Sequence, residues 1–223
     1  MKLFIYGGAS VSPSLIRRAA EYFDGATVTR VYGSTEVPVT TVGAPLDQDH
    51  AVDIDGHPGF AQIVLRDSEI CAFGPQMLVG YLHPDDEAGS FDDDGYYRTG
   101  DLGGWVDDDC LVVTGRAKNI IIRNGENIAP KEIEDILIDH PGIAEIAVVG
   151  LPDTRTGERA CAVIVPTDHP WPDVASLRSF LQSRGVATFK APEQVVIWEA
   201  LPRNDAGKVL KQQIQAALTK TDG

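Results

Sequence analysis

The chain has 223 residues, 43% of them hydrophobic and 23% charged, and a formal net charge of −14. Those values suit a soluble globular protein with one large or two small cores. They argue against non-specific nucleic-acid binding, and no apolar run approaches the roughly 18 residues needed to span a bilayer.

Leu3–Tyr6 followed by Gly7-Gly8 predicts a buried strand ending in a tight turn. Ser12-Pro13 has the cap and first-turn chemistry of a helix, with Leu15, Ile16, Ala19, Ala20 and Phe23 as its apolar stripe. Val28–Tyr32 predicts a second strand, so strand, helix and strand open the chain as part of a parallel sheet. Two strands and a helix cannot cover both faces of such a sheet, so the reading is of a chain that begins inside a larger fold. The opening apolar run is too short for a secretory signal.

From about Thr40 to Gly115 short alternating runs (Gln62–Leu65, Ile70–Phe73, Leu111–Thr114) sit between Gly, Pro and Asp clusters. They predict an antiparallel, barrel-like subdomain. The clusters Asp85-Asp86-Glu87, Asp92-Asp93-Asp94 and Asp107-Asp108-Asp109 lack the alternating ligands and closing glutamate of a calcium loop, and read as solvated turns. Cys71, Cys110 and Cys161 show no metal-ligand spacing and read as reduced structural thiols in a cytoplasmic protein.

After Lys118 the pattern becomes α+β. Strands are predicted over Asn119–Arg123, Ile143–Val149, Ala160–Val165 and Gln194–Trp198, and helices over Pro130–Asp139, Val174–Arg184 and Lys208–Leu218. Charge divides at the same seam. Residues 1–116 hold 7 Lys and Arg against 19 Asp and Glu, whereas residues 117–223 hold 12 against 14. Two domains are therefore expected, 1–116 and 117–223, with the seam at 116–118.

Several residues could carry chemistry. In Tyr32-Gly33-Ser34-Thr35-Glu36 an aromatic can stack on a base and a glycine lets the backbone approach a ligand. Thr35 can donate a hydroxyl to a phosphate, and Glu36 can hold Mg²⁺. The same pentapeptide also suits a strand-end turn with a helix-capping Thr. Asp101, in Tyr97-Arg98-Thr99-Gly100-Asp101, can accept two hydrogen bonds from a ribose diol, although an Asp between glycines is more often a turn residue. Arg116 can pair with Asp101, reach a ribose and phosphate, or do both. Lys208 follows a glycine-bearing loop and opens a predicted helix, where the macrodipole does not favour a cation; the conflict hints at a ligand, and a solvent-facing lysine is the alternative. It is not a Walker lysine, because Pro202 stands where the first glycine would. His50 and Asp55 share the His-x4-Asp spacing of some acyltransferases, without supporting residues.

Taken in order, five segments resemble the adenylate-forming enzymes: acyl- and aryl-CoA synthetases, luciferases and peptide-synthetase adenylation domains. They are Tyr32–Glu36, Tyr97–Asp101, Gly115-Arg116-Ala117-Lys118, Gly125-Glu126-Asn127-Ile128 and Asn204–Lys208. The resemblance runs from about Leu3 to Ile214. It implies that ATP and a carboxylic acid give an acyl adenylate and pyrophosphate, and that a thiol then displaces AMP. It further implies that Gly7, Gly8 and Ala9 line the adenine, Tyr32 stacks on it and Gly33 belongs to the same nucleotide loop. Thr35 would touch the α-phosphate, Glu36 would bind Mg²⁺, and Asp101 and Arg116 would hold the ribose. Lys208 would sit between the carboxylate and the α-phosphate, Lys118 would be a hinge, and Gly125 would face the thiol of coenzyme A.

The family's glycine- and Ser/Thr-rich phosphate loop ending in Pro-Lys-Gly is absent from these 223 residues, and Ala206 replaces a usual Ser. The expectation is the C-terminal part of an acid–CoA ligase, with a truncated large domain and a mobile small one, not competent alone. The segment Val37–Gly43 looks more like fatty or alicyclic acid ligases than amino-acid activators. Alternatives are a non-catalytic module that binds CoA or a partner, and an adenylation domain that loads a carrier protein.

Overall fold

The computed structural model describes residues 3–8, 11, 13–23, 25–43, 54–107 and 109–221. The chain divides into two compact units, Met1–Ala117 and Lys118–Gly223. Among the described residues no helix is long and apolar enough to cross a membrane.

In the first unit β1 (Leu3–Gly7) and β2 (Thr27–Tyr32) pair in parallel across helix α1 (Pro13–Tyr22). Ile16 and Val28 are buried together with Phe4, Tyr6, Val11 and Ala20 against them, whereas Leu15 of the predicted stripe is exposed. Ser12, the expected cap, lies outside the described residues. The short strands β3 (Thr41–Val42) and β4 (His57–Pro58) extend this sheet in antiparallel fashion. Their position in sequence had implied strands of the following antiparallel segment, but they meet it through an isolated bridge between Gly56 and Leu111 and belong to the first sheet.

The segment expected to be barrel-like is an open four-stranded antiparallel sheet. It comprises β5 (Gln62–Arg66), β6 (Glu69–Phe73), β7 (Tyr97–Val106) and β8 (Cys110–Arg116). Between β6 and β7, Asp85–Glu87 fall in a one-turn helix, α2 (Pro84–Glu87), where acidic side chains complement the exposed N–H groups. Asp92 and Asp94 pair with Arg66, at 3.3 and 2.5 Å, and Asp92 Oδ1 accepts the N–H groups of Asp94 and Tyr96. These acids thus shape turns and do more than solvate them.

A buried ion pair braces this unit. Arg30 on β2 lies 3.2 Å from Asp55, whose Oδ2 also accepts the Val113 N–H at 2.7 Å. Both residues are buried. Breaking a buried pair strands a charge away from water, so Asp55→Ala should destabilise the first unit by about 3–5 kcal/mol. Hydrogen exchange would show this as lost protection of the β2 and β8 amides. Unchanged protection there would mean the pair contributes nothing to the brace.

A 3₁₀ turn, Ala117–Asn119, carries the chain from the last residue of the first unit into the second, which continues with the hairpin β9 (Ile121–Arg123) and β10 (Glu126–Ile128). Asn124 and Gly125 both take positive φ (50° and 82°), the primed turn that Asn-Gly favours. Then come α3 (Pro130–Leu137), β11 (Ile143–Asp153), β12 (Gly157–Pro166), α4 (Val174–Gln182), β13 (Gln194–Ile197) and α5 (Lys211–Thr221). The sheet runs β10-β9-β12-β11, with β13 parallel to β12.

Side-chain alternation along β12 feeds two cores. Ala160, Ala162 and Ile164 pack with Ile133 and Leu137 of α3 and with Leu177 and Leu181 of α4. Cys161 and Val163 pack with Leu201 and with Ile214 and Leu218 of α5. A run from Ala160 to Ile164 that is entirely buried is what a strand covered on both faces requires.

Candidate active site

The C-terminal ends of the parallel strands β1 and β2 place Gly7 beside Val31, next to Tyr32. A Cβ on Gly7 would sit 2.6 Å from the Val31 carbonyl oxygen, so only glycine allows this approach. Gly8 turns the chain at φ 79°. Ala9, the third residue expected there, lies outside the described residues. The carboxyl ends of parallel strands are where open α/β sheets place ligands.

No helix follows Tyr32, so Thr35 does not act as a helix cap. Residues 33–40 form an irregular loop folded onto itself. Ser34 donates its N–H to the Val37 carbonyl at 3.2 Å, and the Val37 N–H donates to Ser34 Oγ at 3.1 Å. A Cβ on Gly33 would lie 2.7 Å from the Val39 nitrogen, so the close approach at Gly33 is by its own loop. Val37 is fully buried as the anchor, which leaves Thr35 exposed at the tip.

Glu36 is half-buried beside a pair of phenols. Tyr81 donates its hydroxyl to Oε1 at 3.2 Å, and the Tyr81 and Tyr97 oxygens are 3.2 Å apart. Burial pushes this carboxyl up, but hydrogen bonds from its own N–H, Ser34, Tyr81 and Tyr97 outweigh it and hold the group below its ordinary value. Glu36 is therefore an anion at neutral pH, with the hard oxygen donors that suit Mg²⁺.

Asp101 is set by an irregularity in β7. Arg98 pairs with Cys71 and Leu102 pairs with Glu69, so Thr99–Asp101 carry extra residues opposite Ile70. Gly100 takes φ 70° there and donates its N–H to Glu69 Oε1. The bulge re-aims the carboxylate. Asp101 then lies in register with Arg116 of β8, and Arg116 Nε donates to Oδ1 at 2.7 Å. Tyr32 donates its hydroxyl to Oδ2 at 2.9 Å. Burial and the Asp101 charge push the Tyr32 phenol far up, so it stays protonated and remains a donor. The Asp101 side chain is 9% exposed and that of Arg116 49%. Two of the roughly four lone-pair directions of the carboxylate are used, which leaves capacity for a vicinal diol.

In the second unit Lys118 is exposed in the 3₁₀ turn, and Gly125 is exposed at the tip of the β9–β10 hairpin. Lys208 does not begin a helix; α5 starts three residues later, at Lys211. The macrodipole conflict read from the sequence therefore does not arise. Instead Lys208 closes a tight turn. Its N–H donates to Asn204 Oδ1 at 2.9 Å, and its carbonyl accepts the Asn204 N–H at 3.0 Å. Arg203 braces this turn, donating to the Gly207 carbonyl and to Glu145. The Lys208 side chain is exposed. Asp55, by contrast, is committed to Arg30 and Val113, and His50 lies outside the described residues.

The Tyr32–Asp101 contact spans 69 residues of sequence and carried no local signal, and neither did the Tyr81 and Tyr97 phenols beside Glu36.

Residues 132–208 match the family of AMP-binding enzyme C-terminal domains. The chain is 35% identical, over 96% of its length, to 2,3-dihydroxybenzoate-AMP ligase of Bacillus subtilis. It is 38% identical over 96% to salicyl-AMP ligase / salicyl-S-ArCP synthetase of Mycobacterium tuberculosis, and 33% identical over 99% to medium-chain fatty-acid–CoA ligase of Escherichia coli. Its structure matches ATP-bound MatB from Rhodopseudomonas palustris with a TM-score of 0.88 at 30% identity, over 99% of this chain and 46% of that one. It also matches o-succinylbenzoate CoA synthetase from Bacillus subtilis, in complex with an acyl-adenylate intermediate, with a TM-score of 0.85 at 28% identity, over 96% of this chain and 46% of that one. The chain belongs to the adenylate-forming acid ligases and corresponds to a C-terminal portion of these enzymes. It spans 42, 40 and 42% of the three curated relatives.

Proposed function

We propose that this chain supplies the nucleotide grip and the small domain of an ATP-dependent carboxylic acid–CoA ligase. The Tyr32–Asp101–Arg116 cluster carries the reading: a buried carboxylate, held by two donors from different strands and spare in acceptor capacity, suits a ribose diol. Arg116 adds an exposed guanidinium for the neighbouring phosphate. Gly7, Gly8 and Ala9 line the adenine, and the Tyr32 ring, tethered by its hydroxyl, stacks on it. Thr35 reaches the α-phosphate from the tip of the 33–40 loop.

Glu36 holds Mg²⁺, which would neutralise phosphate charge when bound. Lys208 places an ammonium between the acid's carboxylate and the α-phosphate, where negative charge builds as a carboxylate oxygen attacks phosphorus and pyrophosphate leaves. A thiol sulfur then attacks the acyl carbon and AMP leaves. Residues 1–116 belong to the large domain and 117–223 form the small one. Lys118 is the hinge between the two half-reactions, and Gly125 lies on the loop that faces the thiol.

The finer reading is a fatty or alicyclic acid, with CoA as the thiol. It rests on the segment Val37–Gly43, in which Val39 and Val42 present exposed apolar side chains. An aryl acid loaded onto a carrier protein is the second reading, favoured by the 38% identity to salicyl-AMP ligase / salicyl-S-ArCP synthetase.

The 223-residue protein alone should show no acid-dependent exchange between ATP and pyrophosphate, because its sequence holds no glycine-rich phosphate loop. Fusion to the N-terminal portion of a relative should restore it. Robust exchange by the 223 residues alone would overturn the dependence on a second portion. A well-folded fusion that is inactive with aliphatic and aryl acids alike would overturn the ligase reading.

A further inference from the structure

One cluster of metal-ligating side chains lies apart from the nucleotide grip. His57 on β4 faces Asp109 and Cys110 at the turn from β7 to β8, 53 residues away from His57 in sequence. Cys110 Sγ is 3.7 Å from both ring nitrogens of His57 and 3.4 Å from Asp109 Oδ1, and His57 Nδ1 is 3.3 Å from Asp109 Oδ2. A tetrahedral zinc ion with ordinary bond lengths would set its ligands about 3.6 Å apart for sulfur to nitrogen or oxygen, and about 3.3 Å apart for nitrogen to oxygen. The sulfur–nitrogen separation matches one edge, and the two Asp109 oxygens divide the others, Oδ1 toward the sulfur and Oδ2 toward the imidazole. With one ligand atom from each residue already within 4.8 Å of the others, small turns of the His57 ring and the exposed Asp109 carboxylate would bring all three onto one ion.

Backbone holds the ligands in place. Gly56 and Leu111, the residues next to His57 and Cys110, form an antiparallel bridge. The Asp55 N–H donates to the Leu111 carbonyl at 2.7 Å, and the Leu111 N–H donates to the Gly56 carbonyl at 2.9 Å. Gly56 sits at φ 102°, where a Cβ would lie 2.4 Å from the Val42 carbonyl carbon, so the close packing that sets His57 depends on glycine. Cys110 is buried, whereas the His57 and Asp109 side chains are 38% and 68% exposed. An ion can therefore enter from solvent and keep an open fourth position.

We propose that His57, Asp109 and Cys110 form a binding site for a zinc-class divalent cation, with water as its fourth ligand. A thiolate and an imidazole select such an ion over Mg²⁺ or Ca²⁺. The acidic first half of the chain, including the exposed Asp107 beside the site, attracts a cation. On binding, the Cys110 sulfur gives its proton to solvent and bonds the metal, with no change of oxidation state. The ion would tie β4 to the β7–β8 turn.

Cobalt(II) titration of the metal-stripped protein under anaerobic conditions tests this. One equivalent should give a thiolate-to-cobalt charge-transfer band with tetrahedral d–d absorption. Zn²⁺ should abolish the signal and excess Mg²⁺ should not. Cys110→Ser should remove the charge-transfer band. His57→Gln and Asp109→Asn, which alter exposed side chains and spare the core, should each weaken cobalt binding by more than the roughly 10–100-fold that loss of an outer-shell group costs. Absence of the band in the native protein, its survival in Cys110→Ser, or undiminished affinity in both His57→Gln and Asp109→Asn would overturn the site. None of these readouts depends on ligase activity.

Discussion

In a fusion completed with the N-terminal portion of a relative, Lys208→Ala should abolish adenylate formation yet leave thioester formation from supplied acyl adenylate intact. Removing one preorganised donor to developing charge typically costs about 10²–10³ in rate, so exchange should fall by at least that much. The local structure makes the experiment clean. The Lys208 side chain is exposed, and its turn is held by backbone, Asn204 and Arg203 without any contribution from its ammonium. Truncation should therefore change stability by no more than about 0.5 kcal/mol. Equal loss of both half-reactions would assign Lys208 to the architecture of the turn and remove it from the chemistry.

Asp101→Asn should weaken AMP binding by about 10–100-fold, the loss expected for charge-assisted hydrogen bonds worth roughly 1.5–3 kcal/mol. An amide keeps one acceptor oxygen where the carboxylate had two, and Tyr32 and Arg116 already draw on both. The decisive comparison is with a nucleotide that lacks the ribose hydroxyls. If Asp101 holds the diol, that analogue binds weakly to the native protein and no more weakly to the variant. Equal losses for AMP and the analogue would mean that Asp101 only braces Arg116 and Tyr32. Calorimetry on both nucleotides distinguishes the outcomes. Because Arg116 is half-exposed, its pairing with Asp101 should add no more than about 1 kcal/mol to stability.

The elements most legible in sequence were those whose cause is local. Asn124-Gly125 is a turn signal of this kind, because few other pairs adopt two positive φ values in succession, although the strand β10 that follows it carried no such signal. Ala160–Ile164 signalled a strand, and burial on both faces explains why it shows no polar alternation. The second strand ends at Tyr32, before Gly33, and the helix opens at Pro130, whose fixed φ suits a first helical position, as the sequence reading had them. Lys208 was misread because helix periodicity weakens at an end: Val209 and Leu210 extend the apolar pattern past the true start of α5.

Composition, periodicity and five ordered motifs were enough for the α/β plus α+β class, for the family and for the residues worth suspecting. Each of those properties is carried by neighbours along the chain. The working geometry is not. The Asp101 carboxylate meets Tyr32 only because a bulge in β7 turns it, and the Tyr81 and Tyr97 phenols reach Glu36 from distant segments to add to the local hydrogen bonds that hold its carboxyl below the ordinary value. His57 meets Cys110 only because Gly56 and Leu111 pair across two sheets. Contacts between residues far apart in sequence depend on register and close packing, and these are settled when distant strands come together.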